Sequence, residues 1–159
     1  MKRVAIIVLL LVTLVSVGAF AAKGSGWAIG GEGSLYMGSI GGGIPGGGGA
    51  LTLHTPFLPI MFGISVDSSL AFGLTGDYWL FHQDLASIFD WYAGVGGYLS
   101  ASSSYFGLGL RIPIGLQAWI LGTDFLELFL EVAPALGVKF TGDLFYWHVQ
   151  GAFGFRFWL

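Results

Sequence analysis

Few residues in this chain could do chemistry. The three histidines, His54, His82 and His148, stand far apart with no metal-ligand spacing, and there is no cysteine to supply a thiolate. Structural zinc is held by nitrogen and sulfur ligands at short, characteristic spacings, so no metal site is expected. Ser100, Ser102, Ser103 and Ser104 cluster, but a lipid-modifying hydrolase needs nucleophile, base and orienting group within hydrogen-bond reach. No motif places His54 or His148 beside them. The run Gly41-Gly42-Gly43-Ile44-Pro45-Gly46-Gly47-Gly48-Gly49 lacks the Gly-Lys-Ser/Thr ending of a phosphate loop and reads as a flexible loop. Neither catalysis nor a cofactor is expected. What remains is a sparse set of charges: Glu32, Asp77, Asp90, Arg111, Glu127, Glu131 and Arg156. Their chemistry is mutual, guanidinium with carboxylate, and it requires elements that bring them together.

The elements are strands. In the last nine residues Phe153, Phe155, Phe157 and Leu159 alternate with Ala152, Gly154, Arg156 and Trp158, and a period of two is that of a β-strand. Seven further segments of this kind are predicted, giving strands over residues 27–37, 49–55, 60–66, 70–81, 89–99, 105–119, 126–138 and 147–159. Pro56-Phe57-Leu58-Pro59 is a tight turn, because proline ends pairing. In the sixth strand Phe106, Leu108, Leu110, Ile112, Ile114 and Leu116 share one face, and Arg111 and Gln117 the other. The seventh is ambiguous. Glu127 and Glu131 would also share one side of a helix, and Pro134 is awkward in a paired strand. Consistency with the other seven decides for a strand. The stretch 82–88 has room for a helical turn. In this register all seven charges above, with Lys139, His54 and His148, lie opposite the apolar face.

Composition says which strands these are. The chain is 55% hydrophobic and 9% charged, against about 25% charged in soluble domains. With 28 glycines and 16% aromatic residues, but no uninterrupted apolar run of membrane-helix length beyond the leader, it fits a transmembrane β-barrel. Lys2 and Arg3, the apolar stretch 4–17 and Ala19-Phe20-Ala21 have the anatomy of a secretory leader. The expected domains are therefore a signal peptide, 1–21, and an outer-membrane barrel, 22–159. The barrel part has four basic residues against nine acidic ones, so it has no basic patch for nucleic acid. A soluble lipocalin-like barrel would need a polar outer face, which the apolar faces of the sixth and eighth strands oppose.

Several stretches resemble known families. Gly154-x-x-Phe157-x-Leu159 resembles the C-terminal insertion signal of bacterial outer-membrane barrels, with leucine in place of the usual final phenylalanine. Pro59-Ile60-Met61-Phe62-Gly63-Ile64, Gly76-Asp77-Tyr78-Trp79, Asp90-Trp91-Tyr92, Leu110-Arg111-Ile112-Pro113-Ile114-Gly115 and Glu131-Val132-Ala133-Pro134 are similar to small outer-membrane proteins of spirochaetes. That resemblance covers most of the chain after the leader. It implies an eight-stranded up-and-down barrel of the OmpX and OmpA-membrane-domain kind, with no catalytic assignment.

With both ends in the periplasm, Trp27, Trp79, Trp91, Trp119 and Trp158 fall near the periplasmic rim and Trp147 near the outer rim, as interfacial aromatics do. An eight-stranded barrel is only wide enough for side chains to fill it. Arg111 and Arg156 are therefore expected to pair with Glu32, Asp77, Glu127 or Glu131 as a polar plug. Any ion path through it should prefer cations. Expected outer loops are 39–48, 67–69, 100–104 and 139–146. The expected partners are outer-membrane lipid, the barrel assembly machinery and an extracellular ligand met by these loops. The expected role is structural or surface-interacting (adhesion or host-ligand contact), followed by a narrow conduit for ions or small apolar solutes, then a lipid-modifying enzyme.

Overall fold

The computed structural model describes residues 26–38, 47–56, 59–66, 70–103, 106–120, 124–140 and 145–159. The expected leader, the turn residues 57–58 and the loop residues 39–46, 67–69, 104–105 and 141–144 lie outside these. The described part is almost wholly strand: β1 (Ala28–Gly38), β2 (Gly47–His54), β3 (Pro59–Val66), β4 (Leu70–Ala86), β5 (Phe89–Ser102), β6 (Phe106–Arg111), β7 (Ile114–Trp119), β8 (Leu126–Lys139) and β9 (Phe145–Trp158). All pairings are antiparallel; most join neighbours in sequence, β5 also pairs with β7 and β6 with β8, and β1 pairs with β9 from Ala28↔Trp158 to Gly38↔His148. The sheet is thereby closed into a barrel.

β6 and β7 are two halves of one stave, since both pair with β5 on one side and β8 on the other. The predicted sixth strand is interrupted at Ile112-Pro113, next to Pro134 of β8. Neither proline has an N–H to give. Two backbone bonds close the gap: Ile112 N–H to Pro134 C=O and Gly94 N–H to Pro113 C=O, both 2.9 Å. The awkward proline of the seventh strand thus sits where the facing strand is itself interrupted, and β8 remains a strand throughout. The wall has eight staves.

The registers add up to a stagger. Stepping between Cα partners from Phe157 through Ile29, Leu53, Ile60, Gly76, Gly97, Leu110 and Leu136 returns to β9 at Trp147, ten residues away. A stagger of this size in an eight-stave wall tilts the strands by roughly 35–45° and lifts distant sequence positions to a common height.

Alternation sorts the wall into two faces. Leu51, Leu110, Leu136, Phe145 and Phe153 point out, with Phe145 76% and Leu110 74% exposed. Arg111, Arg156, Glu127, Asp90 and Gln117 point in and are buried. No outward position among the described strand side chains carries a charge. This is the inverse of a soluble barrel and the pattern of one solvated by lipid.

Two expectations need correction. The stretch 82–88 is not helical: β4 continues to Ala86 and turns at Ser87-Ile88. Register shifts between Trp79 and Phe81 and between Asp84 and Ala86 break the alternation that would have announced the strand. The loops expected at 100–104 and 139–146 are shorter, because Ser100 lies in β5, Lys139 in β8 and Tyr146 in β9.

A closed ladder has no strand edge for detergent to open. The extracted protein is expected to run faster on an SDS gel before boiling than after. One unshifted band would contradict closure.

Candidate functional site

The lumen holds the only cluster of charges among the described residues, and it is arranged in tiers. Arg111, at the end of β6, is the upper centre. Its Nε lies 3.1 Å from Asp77 Oδ1 of β4, its Nη1 donates to Gln150 Oε1 of β9 at 2.5 Å, and its Nη2 donates to Glu131 Oε1 of β8. Tyr92 of β5 donates its hydroxyl to the other Glu131 oxygen at 2.6 Å. Three staves therefore converge on one guanidinium whose side chain is fully shielded from solvent, and a fourth joins through Glu131. The fork geometry of arginine serves several acceptors at once.

Arg156 is the lower centre. Nη1 donates to Glu127 Oε1 at 2.7 Å and Nε to Thr52 Oγ1 at 2.9 Å. Its guanidinium carbon lies 3.8 Å from the centre of the Phe129 ring, a cation–π contact. Glu127 is a hub that also accepts from Trp158 Nε1 at 2.7 Å and Gln117 Nε2 at 2.9 Å. Below it Asp90 accepts from Trp119 Nε1 at 2.6 Å, and His82 Nε2 lies 3.9 Å from the same carboxylate.

Small residues make room for these groups. A Cβ on Gly115 would run into the Tyr92 ring, and one on Gly96 into the Asp77 carboxylate. Glycine in these strands clears space for the polar chains that fill the lumen.

The structure thus brings Asp77, Arg111 and Glu131 together, and separately Glu127 and Arg156. Asp90 joins the floor. Glu32 faces the lumen, but its Oε2 has no hydrogen-bond partner among the described residues. Lys139 lies at the outer end, its ammonium 5.8 Å from the Tyr146 ring centre. His54 and His148 face inward as expected. His54 Nδ1 is 3.1 Å from Gly26 O, and its ring tilts against Trp79 and Trp158. Among the described residues no group of histidines and carboxylates could hold a metal ion.

The tryptophans are partly corrected. Trp27 and Trp147 are about half exposed and outward. Trp119 and Trp158 are buried, and their indole N–H groups are used by Asp90 and Glu127. Trp79 stacks on Tyr92 at 4.1 Å. These three lie at the expected end of the barrel but inside it. A carboxylate in a low-dielectric lumen is the stronger partner for an indole donor than the membrane boundary.

Sequence reading missed Thr52, Tyr92, Phe129 and Gln150 as members of the plug. Each has the inward parity of its strand, and that parity was the available signal.

With this geometry the chain can be set beside known proteins. It superposes on the crystal structure of Neisserial surface protein A with a TM-score of 0.56, covering 85% of this chain and 98% of that one at 14% identity. No protein-family model matches the chain, and no curated protein does. The likeness is one of fold: an antiparallel eight-stave barrel. At that identity, alignment cannot carry over roles for Arg111 or Arg156, whose assignment rests on the contacts above.

Proposed function

We propose that this protein is an integral outer-membrane barrel with a structural or surface-interaction role, adhesion or host-ligand contact, and no catalysis. Residues 1–21 direct its export. Gly154, Phe157 and Leu159 form the signal read by the barrel assembly machinery. Trp27 and Trp147 sit at the two membrane boundaries. The spirochaetal family and the OmpX kind of barrel supply the nearest description. Three things support an outer-membrane location: the uncharged apolar outer wall, the barrel fold, and the likeness to a surface protein.

One observation carries the reading of a closed lumen. Both guanidiniums are buried and each is held by several acceptors from different staves. Together they cross-brace the interior at two levels, so an ion would have to displace charge-assisted bonds to pass. A narrow cation path is the second reading. It is favoured by five buried inward acids, Glu32, Asp77, Asp90, Glu127 and Glu131, against three bases, Arg111, Lys139 and Arg156. Planar-bilayer recording separates the two. The refolded barrel is expected to be electrically silent, and discrete cation-selective steps would overturn the closed reading in favour of the conduit.

A further inference from the structure

The β4–β5 hairpin is longer than the wall beside it. The last partner of β3 on β4 is Gly76, yet β4 runs on from Asp77 to Ala86 paired only with β5. Two bulges lie in this extension. Trp79 opposes Gly94 and Phe81 opposes Ala93, leaving Leu80 extra. Asp84 opposes Asp90 and Ala86 opposes Phe89, leaving Leu85 extra. A bulge re-aims side chains and adds one to a face. Here both extra residues are leucines, 54% and 65% exposed.

Register sorts the rest of the hairpin. Phe81 and Phe89 share the outward parity of Tyr78 and Val95, while His82 opposes Tyr92 and Asp84 opposes Asp90 on the lumen side. The outer face is thus Leu80, Phe81, Gln83, Leu85, Ala86 and Phe89, with Ile88 exposed at the turn. It is firmly held: Trp119 N–H donates to Ile88 C=O at 2.8 Å, and Phe81 stacks on Trp91 with 10° between the rings.

We propose that this face is a foot that rests in the periplasmic leaflet and contacts phospholipid. Continuity with the lipid-facing wall carries the inference. Phe72, Leu74, Tyr78, Leu80, Leu85 and Phe89 run down one surface without a charged side chain, so the surface that meets acyl chains higher up continues below the level where β3 stops. Aromatic and aliphatic side chains at that depth are retained by the interface. The inference rests on the reading of the outer wall as lipid-facing.

The absence of cysteine makes single-site labelling clean. Leu85→Cys and, as a second position, Ile88→Cys would carry a spin label in phosphatidylethanolamine–phosphatidylglycerol vesicles, with Leu130→Cys of the mid-wall as reference. Collisions with oxygen, which partitions into lipid, are compared with those of a water-soluble nickel chelate. Oxygen is expected to dominate at positions 85 and 88 as it does at 130. Nickel dominating at 85 and 88, with oxygen at 130, would overturn the foot and leave the barrel reading intact. Nickel dominating at all three would overturn both. Shielding from both reagents, with dipolar broadening between labels, would assign the face to a second copy and overturn the lipid occupant.

Discussion

Replacing Arg111 by alanine is expected to destabilise the barrel by about 3–5 kcal/mol, the usual cost of removing one partner from a buried ion pair. The substitution leaves Asp77 and Glu131 facing each other without a cation and strips Gln150 of its donor. Two buried carboxylates then lose their compensation together, which places the effect toward the upper part of that range. Urea unfolding from lipid vesicles measures it directly, and the heat-induced loss of the fast gel band gives a second readout. Arg111→Lys should recover only part of the loss, because an ammonium is a point charge and cannot reach three acceptors in a planar fork. The same alanine variant removes the upper brace of the lumen, so it is also the variant in which a conductance step should first be seen. An unfolding midpoint equal to that of the wild type would mean that the upper tier does not hold the staves together.

The second large effect concerns Glu127. Glu127→Ala leaves the Arg156 guanidinium buried with Thr52 and the Phe129 and Trp79 rings beside it but no carboxylate bonded to it, and removes the acceptor of Trp158 and Gln117. A loss of about 3–5 kcal/mol is again expected. The revealing comparison is with the double substitution Glu127→Leu and Arg156→Met. Replacing both charges by apolar groups of similar volume is often neutral or stabilising by about 1–4 kcal/mol, because two desolvation penalties disappear with the pair. The double variant is therefore expected to unfold well above Glu127→Ala, and below the wild type by what the unpaired Trp158 and Gln117 donors cost. If it were instead as damaged as the sum of the two single variants, the pair would be contributing through its shape and its neighbours rather than through charge.

The alternation visible in the sequence located the lumen but not its wiring. Parity put Glu32, Asp77, Asp90, Arg111, Glu127, Glu131 and Arg156 on one face, and that is the face they occupy. Which acid meets which base depends on height and position round the wall. Those depend on the ten-residue stagger, a property of all the registers together that no single segment reveals. Hence Glu32 looked as good a partner as Asp77, yet of the two it is Asp77 that pairs with Arg111. The tryptophans show the same limit in another form. The alternation that turns Arg156 inward turns Trp158 inward with it, and that of Gln117 carries Trp119, so these two were legible as lumen residues by parity and not by residue type. The lower half of β4 escaped for a different reason. Extra residues at Leu80 and Leu85 reset the period of two, so a strand with bulges reads locally like a turn of helix. Pro134 pointed the other way for want of knowing that Ile112 and Pro113 interrupt the stave it faces.

The ladder between β1 and β9 has a bearing on how the chain reaches this state. Every other pairing joins staves that are neighbours in sequence and can form as a local hairpin, but Ala28 meets Trp158 only after the whole of the intervening chain has been gathered. Loop-closure entropy must be spent before such a contact returns anything, so pairings of this kind are slow. Until they form, the intermediate carries two open strand edges, and these are templates for association with other chains. The aromatic strand at the end of the chain is thus a latch in time as well as in space. Shortening it would act mainly on the rate of the last step and on the lifetime of an aggregation-prone precursor, before it showed in the strength of any one contact.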